Sequence, residues 1–464
     1  VQPLSGLDAS FLYLETPSQV LHICGLLTLD GSTMPGGYRF SVFREKLAER
    51  VADIPEFRRK LHNSPLNFLH PVWVEDETFD IDRHLHRVAV PSPGDRETLA
   101  ELCAHFAGQS LDRGRPLWEM YVIEGLPEDG VAVLLKMHHA MVDGVSGANL
   151  IAYLCGLEPD SLLPLPEREE NLAPPSHLDL LRSSVSSLAR RPVEVAKLLP
   201  DLLEMAPRWL GRALKGTGMP VPFTAPRTSF NSTITGLRTV AYTSLELDEV
   251  KAVKNAFGVT VNDVVLALCA GALRRYLDTR GELPDEPLVA TVPVSVSDRV
   301  ENEEGSNQVS AFFASLPTQL ADPAARVYAI AESNRVAKEH HFSIKPDMLQ
   351  DWAQFAAPRL FGWAVRAYSA LRLAEKHPVV HNLVVSNVPG PPTPLYLLGA
   401  KVTGLYPLGP VFHGAGLNIT VLSNAGRVDV GLLGARELVP ELWSLADALS
   451  DELKDLLEAA RGLA

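Results

Sequence analysis

His138 and His139 stand side by side at the end of an apolar run, Val131 to Met137, and Asp143-Gly144 follows where a helical pattern opens. An imidazole titrates close enough to neutrality to take a proton from a hydroxyl or thiol and give it back, so this stretch offers a general base. Consecutive strand side chains point to opposite faces, so only one of the two rings can enter a given cavity. The two histidines therefore have different tasks. Asp143 stands where a helix N-terminus takes a cap, and Gly144 and Gly147 allow close backbone approach around the rings. A lone histidine at a strand end is more often a satisfied structural residue. Two together, with an aspartate four residues after the second and a glycine beside it, point to chemistry.

No metal is expected, because adjacent histidines on a strand diverge and no His-Glu-x-x-His or Cys-x-x-Cys spacing completes a site. Gly144-Val145-Ser146-Gly147-Ala148 does not make a Gly-x-Ser-x-Gly elbow, which leaves base-assisted attack rather than a serine nucleophile.

The elements that must position these groups read as follows. Val131 to Met137 is a buried strand entered from the turn at Asp129-Gly130, and Trp118 to Ile123 is a strand that can pair with it. Strand Gln19 to Leu29 and helices Phe40–Ala52, Arg96–Gly108 and Val145–Leu154 complete a first lobe. Residues 158–227 read as a Pro-rich linker and a helical crossover, in which His177 to Lys215 holds seven basic residues against four acidic ones. A second lobe, 228–464, carries strands Arg238–Leu247, Leu288–Val296, Gln308–Leu316, His381–Val385, Leu395–Leu405, Gly416–Leu422 and Val428–Leu433. Its helices are two segments split near Gly258, then Ala321–His341, Met348–Lys376 and Glu441–Arg461. Asn387 to Pro391 reads as a turn, since two prolines and a glycine in five residues oppose pairing. Asn418 and Thr420 alternate with apolar neighbours and share one face of a strand, where they could serve a tetrahedral oxyanion. The fold class is α/β (α+β), two halves with helices laid on mixed or antiparallel sheets.

His138-His139-Ala140-Met141-Val142-Asp143-Gly144 resembles the His-His-x-x-x-Asp-Gly signature of the coenzyme-A-dependent acyltransferase superfamily. Further stretches are similar to one branch of it, the wax ester synthase/diacylglycerol acyltransferase family: Leu4 to Phe11, Pro116-Leu117-Trp118, Asn262-Asp263, Ser386-Asn387-Val388-Pro389-Gly390-Pro391 and Gly416-Leu417-Asn418-Ile419-Thr420. Val20-Leu21-His22 departs from the Pro-Met-His common in that family, and Ser306-Asn307 from its Gly-Asn. The resemblance implies two chloramphenicol-acetyltransferase-like lobes, 1–157 and 228–464, with an active-site tunnel between them. It implies that Trp118 lines the tunnel and that Asn262 and Asp263 support the His motif across the lobe interface. Ser386 and Asn387 would lie near the channel.

On that resemblance the chain is expected to be an O-acyltransferase that moves a long-chain acyl group from acyl-CoA to diacylglycerol or a long-chain alcohol. His139 would be the base, His138 and Asp143 would shape the site, and no acyl-enzyme and no permanent cofactor are needed. Transfer from a carrier-protein thioester and a catalytically silent lipid-binding protein are the alternatives. A net charge of −14 argues against nucleic acid as a partner. The four cysteines, at 24, 103, 155 and 269, are far apart, which suits a reducing cytoplasm. No stretch reaches the roughly 18 uncharged apolar residues of a membrane span, so contact with a membrane or lipid inclusion is expected to be peripheral.

Overall fold

The computed structural model describes residues 2–62, 70–141, 144–165, 223–295, 309–341 and 358–463. The chain opens with β1 (Gln2–Pro3) and α1 (Gly6–Leu14), then β2 (His22–Asp30), α2 (Phe40–Ala52), β3 (Arg59–His62), β4 (Val72–Glu75), β5 (Leu85–Ala89), α3 (Arg96–Ala107), β6 (Trp118–Glu124), β7 (Val131–His138), α4 (Gly144–Tyr153) and β8 (Cys155–Gly156). It continues with β9 (Arg238–Glu246), α5 (Leu247–Phe257), α6 (Val261–Thr279), β10 (Leu288–Ser295), β11 (Val309–Leu316), α7 (Pro323–His341) and α8 (Pro358–Ala370). Last come β12 (Leu383–Val388), β13 (Tyr396–Leu397), β14 (Ala400–Leu408), β15 (Leu417–Asn424), β16 (Arg427–Ala435) and α9 (Leu442–Arg461).

The first sheet has the strand order β5-β6-β7-β2-β14-β13-β8. Its centre is β7, buried at every position, as a continuous run of Val and Leu requires when both faces of a strand are covered. Val131, Val133, Leu135 and Met137 pack with Phe43, Leu47 and Phe57 on one face, while Ala132 and Leu134 meet Leu99 and Cys103 of α3 on the other. Lys136 lies inside this run with no exposure. It is tolerated because its ammonium reaches Glu119 and the Phe106 carbonyl, each at 3.2 Å.

The second sheet runs β11-β10-β12-β15-β16-β9, with β10, β12 and β15 parallel. Helices cover one face. Leu442, Leu445, Leu449, Leu453 and Leu456 of α9 recur at helical spacing and enter one core with Val264, Leu268 and Leu273 of α6. Between α5 and α6, Gly258 takes φ 68° as the left-handed cap that ends α5.

The boundary between lobes differs from the division at 157 and 228 in one respect. β13 and β14 belong by sequence to the second lobe, yet β14 pairs with β2 from Lys401 opposite Asp30 to Leu408 opposite Cys24. The apolar alternation of this segment fits an inward-facing strand of either sheet, and only the long-range pairing decides. Three other expectations shift. The strand expected from Gln19 begins at His22, because Thr16 and Gln19 exchange backbone hydrogen bonds in a turn. Asn387 and Val388 are not in the turn but end β12, paired with Val421 and Leu422. The turn starts at Pro389, the first residue without an N–H for the ladder. The strand expected over Leu395–Leu405 is two strands, with Leu398 at φ 49° between them. Most of the crossover, including His177 to Lys215, and the segment Met348 to Ala357 lie outside the described residues.

Candidate active site

β2 and β7 pair in register so that His22 faces His138, and the chain then turns. The His138 N–H donates to the Leu117 carbonyl at 3.0 Å and the His139 N–H to the Leu21 carbonyl at 2.9 Å. The backbone of each histidine is thus fixed from a different side. Met141 N–H closes a tight turn onto the His138 carbonyl.

The two rings do have different environments. His138 is 1% exposed. Its Nδ1 accepts from the Ala140 N–H at 3.0 Å, so the ring proton sits on Nε2, which faces Glu15 Oε2 at 3.3 Å. His139 is only half-buried, and its ring lies flat against Phe11, centroids 4.1 Å apart and planes 20° from parallel. Of the pair, His139 is the more exposed.

Glu15 is the hub beneath them. Arg113 pairs with it, His138 approaches one oxygen, and His22 Nε2 comes within 3.3 Å of the other without the alignment of a hydrogen bond. Burial alone would raise the carboxyl, but its contacts with His138 and His22 outweigh that and hold it well below the usual carboxylate range. Burial pushes His22 down to about 4 against the opposing pull of Glu15, and lowers His138 likewise. Glu15, His22 and His138 offer donor atoms within 4.8 Å of one another, a set that a divalent ion could use. Arg113 already neutralises the one carboxylate, so a dication there would be buried beside a second positive charge. The set is better suited to hydrogen bonding.

A pH dependence follows. His22 and His381, the latter also pushed down to about 4 by burial, stay neutral in the folded chain at pH values where free imidazoles, titrating near 6.5, take up protons. Stability is therefore fully present above pH ~6.5 and declines as pH falls toward ~4, by about 1.4 kcal/mol per pH unit for each group. Urea denaturation at steps from pH 7 to 4.5 should show this decline, and His381→Phe should make it shallower. A flat profile would contradict the buried neutral state.

The remaining residues singled out by sequence lie on several elements. Pro116-Leu117-Trp118 backs the His turn through the Leu117 carbonyl, and the Trp118 ring is a core residue. It has no exposure, stacks on His84 and meets Phe57 edge-on, with its indole N–H on the Phe57 carbonyl at 2.8 Å. It faces the core because it pairs with Met137, whose side chain points there. Asn262 and Asp263 open α6. Asp263 forms a capping box with Thr260 and accepts from Asn334 Nδ2 at 2.7 Å, contacts wholly within the second lobe. Ser386, Asn418 and Thr420 lie on the face of the second sheet away from the helices, Ser386 beside Thr420 in register. The Thr420 hydroxyl donates to Asn418 Oδ1 at 2.7 Å, and Asn418 Nδ2 donates to the Pro410 carbonyl at 3.0 Å. In this arrangement the Thr420 hydroxyl proton is committed to Asn418, whereas Asn418 keeps one N–H. Asn387 points to the opposite face. Gly144 begins α4, while Asp143 lies outside the described residues.

The lobes meet around this site. From β14 the loop 409–416 leads into β15, and the His413 N–H donates to Gln19 Oε1 at 2.8 Å. A cavity of about 110 Å³ beside it is lined by Tyr368, His377, His381 and His413. At the other end of α4, Leu150 and Ile151 pack with Val388 and Leu422 of the second sheet. Phe11, Glu15 and Arg113 were not singled out by sequence as site residues. Their only signal was position, Phe11 closing the Leu4–Phe11 opening and Glu15 preceding His22.

Residues 4–265 match the wax ester synthase/diacylglycerol acyltransferase catalytic domain and residues 305–457 the corresponding C-terminal domain. A putative diacylglycerol O-acyltransferase of Mycobacterium tuberculosis is 50% identical over 461 residues, covering 99% of this chain and 91% of that one. The wax ester synthase/diacylglycerol acyltransferase of Marinobacter aquaeolei VT8 superposes with a TM-score of 0.71 at 30% identity, over 99% of this chain and 100% of that chain. The starter condensation domain of rhizomide synthetase, at 14% identity and TM-score 0.52 over 100% of this chain and 94% of its own, shares the fold. The chain belongs to the wax ester synthase/diacylglycerol acyltransferase family.

Proposed function

We propose that this acyltransferase moves a long-chain acyl group from acyl-CoA to the hydroxyl of diacylglycerol, of a long-chain alcohol, or of both, with His139 as general base. The observation that carries the reading is the unequal placement of the two histidines, His138 locked inward on Glu15 and Ala140, His139 half-buried and stacked on Phe11. His139 takes the acceptor's hydroxyl proton as the oxygen attacks the thioester carbonyl. The carbon–sulfur bond then breaks, and the imidazolium returns its proton to the departing thiolate. Asp143 holds the loop that follows the histidines, and the amide of Asn418 supports the site from the second sheet.

Direct transfer without an acyl-enzyme is supported by the cysteines. All four are buried, and burial pushes the Cys24, Cys155 and Cys269 thiols up to about 12, so none supplies a thiolate nucleophile. No prosthetic group takes part, and acyl-CoA is a co-substrate. Among the described residues no single helix is long and apolar enough to cross a membrane. The acceptor's own insolubility places the enzyme at a membrane or lipid-inclusion surface, on the cytoplasmic side where acyl-CoA is made.

Labelled palmitoyl-CoA with diolein, and separately with hexadecanol, tests the reading. Label should appear in triacylglycerol, wax ester or both. Product formed only from an acyl-carrier-protein thioester would replace acyl-CoA as donor, and no ester from either donor would refute the assignment.

A further inference from the structure

The His motif does not position itself, and the element that holds both of its rings comes from the far N-terminal part of the chain. Phe11 and Glu15 are four residues apart, on α1 and at its C-cap, so they lie one above the other on a single helix face. Phe11 stacks on His139, and Glu15 faces His138. The C-terminal end of α1 is itself anchored: Gln19 Nε2 donates to the Leu14 carbonyl at 2.9 Å, and Arg113 donates to the Leu12 carbonyl at 2.8 Å as well as to Glu15. At its start, Ser5 caps the helix by accepting from the Asp8 N–H at 3.0 Å.

We infer that α1 is the positioning element of the catalytic base, with Phe11 setting the plane of the His139 ring and Glu15 locking the turn that carries it. The inference rests on His139 being the base. A ring stacked on another can turn within its own plane but cannot tip out of it. A base must bring a nitrogen to about 2.6–3.2 Å from the proton it abstracts, and a flat stack removes the rotation that would spoil that approach. Glu15 suits its task because a carboxylate only accepts. Arg113 and the His138 Nε2–H both donate to it, and the His22 ring completes the enclosure. A glutamine of the same shape could keep an oxygen where Arg113 and His138 share Oε2, but it would lose the negative charge opposite Arg113 and turn its NH2 group toward the His22 ring.

The test uses the full chain with Phe11→Leu, which keeps apolar bulk and removes the ring face, Phe11→Tyr, which restores the face, and Glu15→Gln. Phe11→Leu is expected to lower kcat by roughly 10- to 100-fold, the usual scale for a misplaced catalytic group. KM for palmitoyl-CoA should stay within about twofold and the melting temperature should hold, with Phe11→Tyr recovering most of the rate. Glu15→Gln should lower kcat in the same way. A second readout needs no turnover: diethylpyrocarbonate should acylate His139, followed by peptide fragmentation, faster in Phe11→Leu than in wild type. Wild-type kcat in Phe11→Leu, no recovery in Phe11→Tyr, or an unchanged His139 modification rate would each overturn the inference. If wild type transfers no acyl group while His139 modification still responds to Phe11, the positioning stands and the proposed reaction falls.

Discussion

His139→Ala is expected to lose acyl transfer by a factor of roughly 10² to 10⁴, the range that a positioned general base contributes. The fold should survive the change. The His139 backbone N–H keeps its bond to the Leu21 carbonyl, and the half-buried ring is not part of the continuous core. The loss should therefore fall on kcat, with KM for acyl-CoA little altered, since the base acts on the acceptor hydroxyl and not on the donor's binding. His138→Ala should behave differently. It leaves the Ala140 N–H without its partner, at about 1–3 kcal/mol for a buried group left unsatisfied, and takes one of the two donors from Glu15 Oε2, which keeps Arg113, so its first effect is on stability. Initial rates with labelled palmitoyl-CoA, set beside urea denaturation of both variants, separate the two. Retention of more than a tenth of the wild-type rate in His139→Ala would remove it from the role of base.

Trp118→Ala is expected to destabilise the protein by about 3–5 kcal/mol, as truncating a large buried aromatic does. The ring has no exposure, is stacked on His84 and packed edge-on against Phe57, and its indole N–H holds the Phe57 carbonyl. Trp118→Phe should keep most of the packing and lose only that hydrogen bond, about 1–3 kcal/mol for the carbonyl left bare. A residue lining a substrate tunnel would show the opposite signature: little change in stability and an altered preference for acyl chain length. A loss below about 1 kcal/mol in Trp118→Ala, with a shifted chain-length profile, would return Trp118 to the tunnel.

How much of this was legible in the chain depends on the range of the interactions involved. The core of the first sheet was readable because Val131 to Met137 is apolar without interruption, a pattern that a strand covered on both faces needs. The capping box of Asp263 with Thr260, three residues before it, is a local pairing within the first turn of α6, the kind of contact that sequence spacing can express. The surroundings of His138 and His139 were not. Phe11 and Glu15 reach the histidines, and Arg113 reaches Glu15, only after distant parts of the chain have come together, and no local periodicity records that. Asn418 and Thr420 share a face as their alternation implies. The Thr420 hydroxyl and one N–H of Asn418 are nevertheless committed, the latter because the loop at Pro410 brings a carbonyl to it, and a loop's path is not written in strand periodicity. The same limit explains β12: Asn387 and Val388 stay in the ladder because Val421 and Leu422 are there to receive them, despite the proline that follows.

The insertion of β14 between β2 and β13 bears on the order in which the molecule can be made. During synthesis β2, β6 and β7 emerge early, yet the edge of β2 that faces β14 stays open until Leu408 has left the ribosome, and β8 cannot join the sheet until β13 arrives beside it. An open edge on a strand as apolar as His22–Asp30 is a template for wrong pairing. The first lobe is therefore not a unit that can finish folding ahead of the second. On a nascent chain the free edge of β2 stays unpaired until β14, about 370 residues further on, has been made.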